Sequence, residues 1–173
     1  MPVTLVPHDP SWSRQAELEI GRLQRLPGVR RIIFHHIGST AVPGILAKPT
    51  LDLLGVAAGL GDLDSARAAM ELAGYEWHGE FGFVGRRYLT LTDHRTGIRA
   101  VNLHCYASGD PAITRHLAFR DYLRADPELA TGYECIKRHC AKLYPGDSHA
   151  YTTCKDEWIK RVEADALIYH DDA

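Results

Sequence analysis

The most informative part of the chain reads HIGSTAVPG over residues 36–44 and KPTLD over residues 48–52. A strand that begins at residues 31–34 is predicted to run into the turn Gly38-Ser39-Thr40. Glycine lets a backbone approach a ligand closely, and hydroxyls and exposed N–H groups can hold phosphate oxygens. The same residue types also make ordinary turns. The first motif therefore predicts either a plain strand-to-helix turn or an anion-binding one.

The second motif leads into a strand, predicted over residues 50–56, that is apolar except for Asp52. An apolar strand of this kind is normally covered on both faces. A charge there costs several kcal/mol unless it is paired or coordinates a metal. Asp52 is therefore predicted to be either a salt-bridged structural residue or a functional carboxylate.

Around these strands the sequence predicts an α+β fold in a single domain over residues 1–173. Residues 88–92 and 98–106 alternate apolar and polar side chains around a turn, which indicates an antiparallel hairpin. We expect the strands carrying Ile37, Leu53 and Leu103 to be neighbours in one mixed sheet, with the hairpin at one edge. Cap residues beside prolines or Pro-Gly turns predict four helices, and an alanine-rich stretch that ends at Gly74 predicts a fifth. The first helix is predicted from Asp9-Pro10 to Pro27 and the second over residues 60–73. The last three begin at Asp110-Pro111, Asp126-Pro127 and Ser148.

Composition excludes several classes of protein. The chain has 173 residues, 45% of them hydrophobic, which suffices for a buried core and argues against disorder. A net charge of −2 without a basic block argues against a duplex-DNA binder. No apolar run is long enough to span a membrane, and the first ten residues lack a signal-peptide pattern, so a cytoplasmic location is expected. Four isolated cysteines are expected to remain thiols that behave as small buried hydrophobes.

Several polar side chains fall on faces that the pattern predicts to be buried. His104 points away from the apolar row of its strand. Lys155 and Arg120 lie on apolar helix faces at helical spacing. A single cation on such a face can extend its charged end to solvent or pair with a carboxylate, but several cations from separate helices are expected to converge on an anionic ligand or on Asp52. We therefore expect Arg120 and Lys155 to face a cleft over the Gly38 turn.

Together these motifs resemble the signature of the GrpB family. The resemblance covers essentially the whole chain, through matches at Asp9-Pro10-Ser11-Trp12, Asn102-Leu103-His104, Phe119–Arg124, Tyr133 with Lys137, and Tyr151 with Lys155. It implies a nucleotidyltransferase-like mixed β-sheet with flanking helices and a helical C-terminal part. It also implies a domain that occurs elsewhere fused to dephospho-CoA kinase.

The chemistry implied by the resemblance is only partly supported by the residues. In nucleotidyltransferases, a Gly-Ser turn is followed by a strand that carries two carboxylates at alternate positions, and a later strand carries a third. These three carboxylates hold two divalent ions. Here the Gly-Ser turn and Asp52 match, but Leu54 occupies the second carboxylate position. Asn102 or His104 occupies the third, and the family more usually has a histidine where Asn102 stands.

His36, Asp52 and His104 are expected to converge from three strands. Two imidazoles and a carboxylate suit one zinc or manganese ion better than magnesium. A histidine acting as a general base and oriented by Asp52 is a second interpretation, and a buried polar network is a third. The predicted cofactor, if one is used, is a divalent Mg, Mn or Zn ion.

Two functional hypotheses follow. The first is an enzyme that transfers a nucleotidyl or related phosphorylated group to a small acceptor, with Asp52, His104 and His36 as catalytic or metal-binding residues. The second is a catalytically degenerate module that binds a nucleotide-like or acidic small molecule, which the missing second carboxylate favours. Both predict a phosphorylated or acidic small-molecule ligand, no nucleic-acid or membrane partner, and no particular oligomeric state. The predicted ligand-binding residues are Gly38, Ser39, Thr40, Lys48, Arg120, Lys137 and Lys155.

Overall fold

The computed structural model describes residues 3–171, so the predicted domain over 1–173 includes four terminal residues outside the described ones. The described chain forms five α-helices, five strands and a short 3-10 helix over Ser39–Ala41. The helices are α1 (Ser11–Gln24), α2 (Leu60–Leu72), α3 (Pro111–Ala125), α4 (Pro127–Leu143) and α5 (Ser148–Asp171). The strands are β1 (Ile33–Ile37), β2 (Leu51–Ala57), β3 (Tyr75–Trp77), β4 (Arg87–Thr92) and β5 (Arg99–Ala107). Within residues 3–171, no helix is both long and apolar enough to cross a membrane.

The strands form one mixed sheet in the order β1-β2-β5-β4-β3. β2 and β5 are parallel and the other pairs are antiparallel. The predicted α+β fold and the predicted neighbourhood of the strands carrying Ile37, Leu53 and Leu103 are therefore confirmed. The expected edge position of the β4–β5 hairpin is wrong, because β3 pairs with the outer side of β4. With three residues, β3 is too short to show an alternating pattern in the sequence.

The two faces of the sheet are covered by different helices. α1 and α2 pack against the face that carries Leu53, Leu89 and Leu103, all completely buried. The opposite face carries Asp52, Leu54 and residues of β5 that alternate with the buried row. Part of it is covered by α3, which packs on Leu54. α3 does not cover the end of this second face around Asp52, where the side chains form a polar site.

Helix starts follow the predicted capping chemistry with small shifts. The side chain of Asp110 accepts from the N–H of Ala112, and that of Asp126 accepts from the N–H groups of Glu128 and Leu129. The residue that caps α5 is Asp147 rather than the predicted Ser148. The Asp147 carboxylate accepts hydrogen bonds from the backbone N–H groups of His149 and Ala150. α1 begins at Ser11 and ends at Gln24, before the predicted stop.

The cysteines differ from the expectation of four buried thiols. Cys140 and Cys154 form a disulfide between α4 and α5. They are 14 positions apart in sequence, and the short turn between the two helices folds α5 back on α4, which brings the two sulfur atoms together. Cys105 is a buried free thiol, as expected, whereas the free Cys135 is exposed.

Candidate functional site

A small polar cavity lies between the Asp52 end of the sheet and the helices α4 and α5. Its volume is about 110 Å³. The turn after β1, strands β2 and β5, and both helices contribute to its wall. The lining residues are Gly38, Ser39, Lys48, Thr50, Asp52, Asn102, Tyr133, Lys137, Tyr151 and Lys155.

Asp52 is placed in this cavity by strand pairing. It stands between Ile37 of β1 and Asn102 of β5, and its Oδ1 accepts a hydrogen bond from the Asn102 amide at 2.8 Å. Burial raises the pKa of Asp52, while this hydrogen bond and the charges of Lys48 and Lys155 oppose the increase. The carboxylate is therefore held by one neutral donor and by two cations that act through charge.

Gly38 is the residue that lets the turn approach Asp52. Its φ is +70°, and a Cβ built on it would lie 2.5 Å from Oδ2 of Asp52. Any other residue would have to displace the carboxylate and would also adopt a backbone conformation that L side chains rarely take. The glycine of the first sequence motif is thus explained by close packing against the aspartate of the second.

Three lysines line the cavity together with Asp52. The Lys137 side chain is only 1% exposed, donates to the Leu46 carbonyl oxygen, and lies 4.5 Å from the centre of the Tyr133 ring. Burial lowers the pKa of Lys137 to about 7 and that of Lys155 to about 8. Burial also lowers the pKa of Lys48. One buried and two half-buried amines in a cavity with one carboxylate give it an excess of positive charge when they are protonated, which an anionic group would balance.

Aromatic rings hold two of these amines in place. The Lys155 ammonium lies 4.3 Å and that of Lys48 5.2 Å from the centre of the Tyr151 ring. Tyr133 stacks on Trp158, and its hydroxyl accepts from Ser39. The ring contacts stabilise the cations while leaving the charges directed at the cavity.

His36 does not join this site. It pairs with Leu53 in the sheet, whereas Asp52 pairs with Ile37, so His36 lies on the opposite face. Its Nε2 is 2.9 Å from the Thr40 hydroxyl. Burial and the nearby arginines lower the pKa of His36 to about 4, which leaves the ring neutral near pH 7. The expected convergence of the two histidines with Asp52 is therefore wrong, and Thr40, engaged by His36, does not line the cavity.

His104 lies on the same face as Asp52 but beyond the cavity. It pairs with Leu54 in the sheet, and its ring packs against Tyr88 and His116 with centroids 5.0 and 5.6 Å away. Burial lowers the pKa of His104 to about 3. Its Nδ1 has no hydrogen-bond partner among residues 3–171. This contradicts the orientation by Asp52 that a general-base role would require.

Arg120 also lies outside the cavity. Its guanidinium pairs with Asp121 at 2.7 Å and donates to the carbonyl oxygen of His36 at 3.1 Å. Arg124, one turn further along α3, donates to the carbonyl oxygen of Ala41. These two arginines bracket the turn that carries Gly38 and fix it from outside. Lys155 lines the same cavity as Gly38 and Ser39, as expected. Arg120 was also expected to face this cavity, but it does not line it.

The lining residues do not fit the two-metal centre implied by the fold family. Of the described residues around the cavity, Asp52 alone is a carboxylate, and Leu54, in the second carboxylate position, is completely buried. Within residues 3–171 no group of three or more His, Cys, Asp or Glu side chains could hold a metal ion. Three ammonium groups at the same site would repel a cation further.

Sequence reasoning did not assign four of the cavity residues to the site: Thr50, Asn102, Tyr133 and Tyr151. The two tyrosines precede Lys137 and Lys155 by four positions, so each tyrosine and its lysine share a helix face. That repeated spacing was a detectable signal. Asn102 was considered as a replaced carboxylate, but the register that places it against Asp52 is a property of the folded sheet.

The family model described as GrpB protein matches residues 2–165. The glutamate-rich protein GrpB of Alkalihalophilus pseudofirmus is 30% identical over 162 residues, which cover 92% of this chain and 93% of that protein. The UPF0157 protein YqkA of Bacillus subtilis is 37% identical over 164 residues, but this chain spans only 47% of its length. A dephospho-CoA kinase of Mycolicibacterium paratuberculosis is 29% identical over 181 residues, and 44% of its length is covered.

Solved structures extend the comparison to the fold. The crystal structure of the conserved protein GrpB from Enterococcus faecalis superimposes with a TM-score of 0.88 at 36% identity, covering 96% of this chain and 99% of that one. The Cid1 poly(U) polymerase, in a structure with bound MgGTP, gives a TM-score of 0.55 at 16% identity, covering 87% of this chain and 50% of that one. The second likeness concerns the fold, which is nucleotidyltransferase-like.

Proposed function

Because the chain belongs to the GrpB family and has a nucleotidyltransferase-like fold, we propose that it binds the phosphate groups of a nucleotide-like small molecule in the cavity between Asp52 and Lys155. The lysine cradle, defined as Lys48, Lys137 and Lys155, holds the phosphate oxygens. The Ser39 hydroxyl and the turn after Gly38 contribute from the opposite wall.

The observation that carries this proposal is that one buried and two half-buried amines line a cavity with a single carboxylate. Keeping Lys137 at 1% exposure costs free energy, because burial lowers its pKa more than the charge of Glu134 raises it. A phosphate supplies that missing negative charge and accepts charge-assisted hydrogen bonds from all three amines. An anion also raises the pKa values of Lys137 and Lys155, so that binding takes up protons near neutral pH.

Nucleotidyl transfer to a small acceptor is the second candidate function. It is favoured by one observation, the packing of Asp52 directly against a Gly-Ser turn. The absence of a second carboxylate at position 54 argues against the two-metal form of that reaction. Binding without transfer is therefore the function that the cavity supports best.

The test is a calorimetric titration with tripolyphosphate at pH 6.5. We expect the wild-type chain to bind and Lys155→Met to bind at least about tenfold more weakly, since a charge-assisted hydrogen bond contributes about 1.5–3 kcal/mol. Lys160→Met is the matched control, because Lys160 is an exposed lysine of the same helix that pairs with Asp156. No binding by the wild type, or equal binding by both variants, would contradict the proposal.

A second assay separates binding from transfer. Nucleoside triphosphates are incubated with Mg²⁺, Mn²⁺ or Zn²⁺ and a panel of small acceptors, and released pyrophosphate is measured. Binding without release supports the binding function. Release that disappears in Asp52→Asn would establish transfer instead.

A further inference from the structure

The loop between β3 and β4 exposes several apolar side chains. Residues 78–86 connect β3 to β4, and within them Phe81 is 63%, Phe83 58% and Val84 90% exposed. Contiguous exposed apolar surface of this kind often marks a binding site. The loop lies on the β4 side of the sheet, next to the strands that carry Tyr88 and Asn102.

Phe81 is held in a fixed position despite its exposure. Its φ is +46°, an uncommon and strained value for a residue other than glycine. Its ring stacks on Tyr88 at a centroid distance of 5.2 Å and an interplanar angle of 28°. Arg86, 7% exposed, donates to the carbonyl oxygens of Glu80 and Phe81 and lies 4.9 Å from the centre of the Tyr88 ring. The protein thus orders an aromatic ring whose outer side remains in solvent.

A chain of contacts connects this ring to the cavity. The hydroxyl of Tyr88, on which Phe81 stacks, donates to Oδ1 of Asn102 at 2.9 Å. The amide of Asn102 in turn donates to Asp52. Two strand spacings separate β2 from β4, about 10 Å. The strand that carries Tyr88 thus lies from the strand that carries Asp52 at a distance on the scale of a small nucleotide rather than of a bare phosphate.

A further cation lies along this path. The guanidinium of Arg99 is 3.5 Å from Oδ1 of Asn102, and its buried Nε has no hydrogen-bond partner among the residues that the structure describes. A partly buried guanidinium beside Asn102, which itself lines the cavity, provides a second point of contact for negative charge. Going from the cavity towards β4, this polar face of the sheet therefore carries the lysines, then Arg99, and then the Phe81 ring.

We propose that the cavity, Arg99 and the Phe81 ring form one continuous binding surface for a nucleoside polyphosphate. The terminal phosphates occupy the lysine cradle, Arg99 contacts a phosphate nearer the nucleoside, and the planar base stacks on the exposed side of Phe81. This inference rests on the proposed phosphate binding and goes further by requiring a planar base. A sugar phosphate or inorganic polyphosphate would leave the aromatic ring unused.

The test compares ATP with tripolyphosphate by calorimetry, without metal, for the wild type and two loop variants. We expect the wild type to bind ATP more tightly than tripolyphosphate. Phe81→Leu should weaken ATP binding about tenfold, since stacking on an aromatic ring contributes about 1–3 kcal/mol per base, and should leave tripolyphosphate binding unchanged. Val84→Ala, in the same loop, is the matched control and should behave as the wild type. Thermal melts establish that each variant is folded.

The outcomes distinguish this inference from the one on which it rests. If tripolyphosphate binds but ATP gains nothing from its base, or if Phe81→Leu leaves ATP binding unchanged, the base platform is overturned while the phosphate site stands. If the two loop variants lose affinity equally, the loop acts without stacking and the inference is again overturned. If neither ligand binds, the proposed phosphate-binding function itself is contradicted.

The variant Arg99→Met tests the second phosphate contact. Weaker tripolyphosphate binding by this variant, alongside normal folding, would support that contact, and unchanged binding of both ligands would contradict it.

Discussion

Replacing Lys137 by methionine should make the protein more stable and its phosphate site weaker. Methionine has a similar length and no charge, so the buried volume is largely retained. Lys137 is 1% exposed, and its ammonium contacts the Leu46 carbonyl oxygen and the Tyr133 ring. The variant removes a desolvated amine and one of the three lysines that line the cavity.

The size of the effect follows from the pKa of Lys137. The ordinary value of 10.5 applies to the unfolded chain, and the value in the folded protein is about 7. Each tenfold difference in proton affinity is 1.36 kcal/mol, so at pH 7 the buried amine costs about 4 kcal/mol. The variant avoids that cost but leaves the Leu46 carbonyl without its donor, which offsets about 1–3 kcal/mol. We expect a net gain of about 1–3 kcal/mol in the free energy of unfolding.

The pH dependence provides an independent check on the same residue. Between pH 7 and 10.5 the unfolded chain holds more protons at Lys137 than the folded chain does. The stability contributed by this residue therefore rises with pH across that window. Lys155, with a pKa of about 8, contributes in the same direction between pH 8 and 10.5. The rise from pH 7 to 9 should be smaller in Lys137→Met than in the wild type.

Urea denaturation at pH 7, 8 and 9 measures the stability, and titration with tripolyphosphate at pH 6.5 measures the site. Lys142→Met, an exposed position on the same helix, is the control and should change neither. A variant that is destabilised by 2 kcal/mol or more and binds tripolyphosphate normally would refute the reasoning. It would show that the ammonium holds the fold together rather than serving a ligand.

Three further changes test other parts of the structure. Gly38→Ala should abolish tripolyphosphate binding and lower the melting temperature, because the new Cβ would lie 2.5 Å from the Asp52 carboxylate; a variant that binds normally would disprove the tight packing. Asp52→Asn should change the free energy of unfolding by less than about 1 kcal/mol, since an asparagine side-chain oxygen can still accept from Asn102. At pH 6 the same variant should bind metal-free tripolyphosphate more tightly, because a negative charge has been removed, and weaker binding would point to a direct role of the carboxylate. Cys154→Ser should lower the free energy of unfolding by about 3 kcal/mol, the value expected for a loop of about 15 residues closed by its disulfide with Cys140; equal stability with and without a reducing agent would contradict this.

Local sequence patterns were sufficient for most of the secondary structure and for the residues that carry chemistry. Asp110 and Asp126 stand before prolines and cap their helices as the pattern predicts, because capping depends only on residues two or three positions apart. The GrpB motifs likewise identified the fold, with Gly38 and Asp52 at its centre. Lys155 was expected over the Gly38 turn from its helical phase alone, and it lines that cavity.

The tertiary structure decided which of these residues face the same cavity. Side chains alternate along a strand, so the pairing of Ile37 rather than His36 with Asp52 sends His36 to the other face of the sheet. The place of Arg120 on the apolar face of its helix was compatible with an anion site. In the folded protein its guanidinium instead donates to the His36 carbonyl oxygen of β1 and pairs with the neighbouring Asp121. Cys140 and Cys154 meet because α5 folds back on α4. Strand register, ion-pair partners and helix packing all depend on contacts between residues far apart in the chain, which the spacing of residues within one segment does not contain.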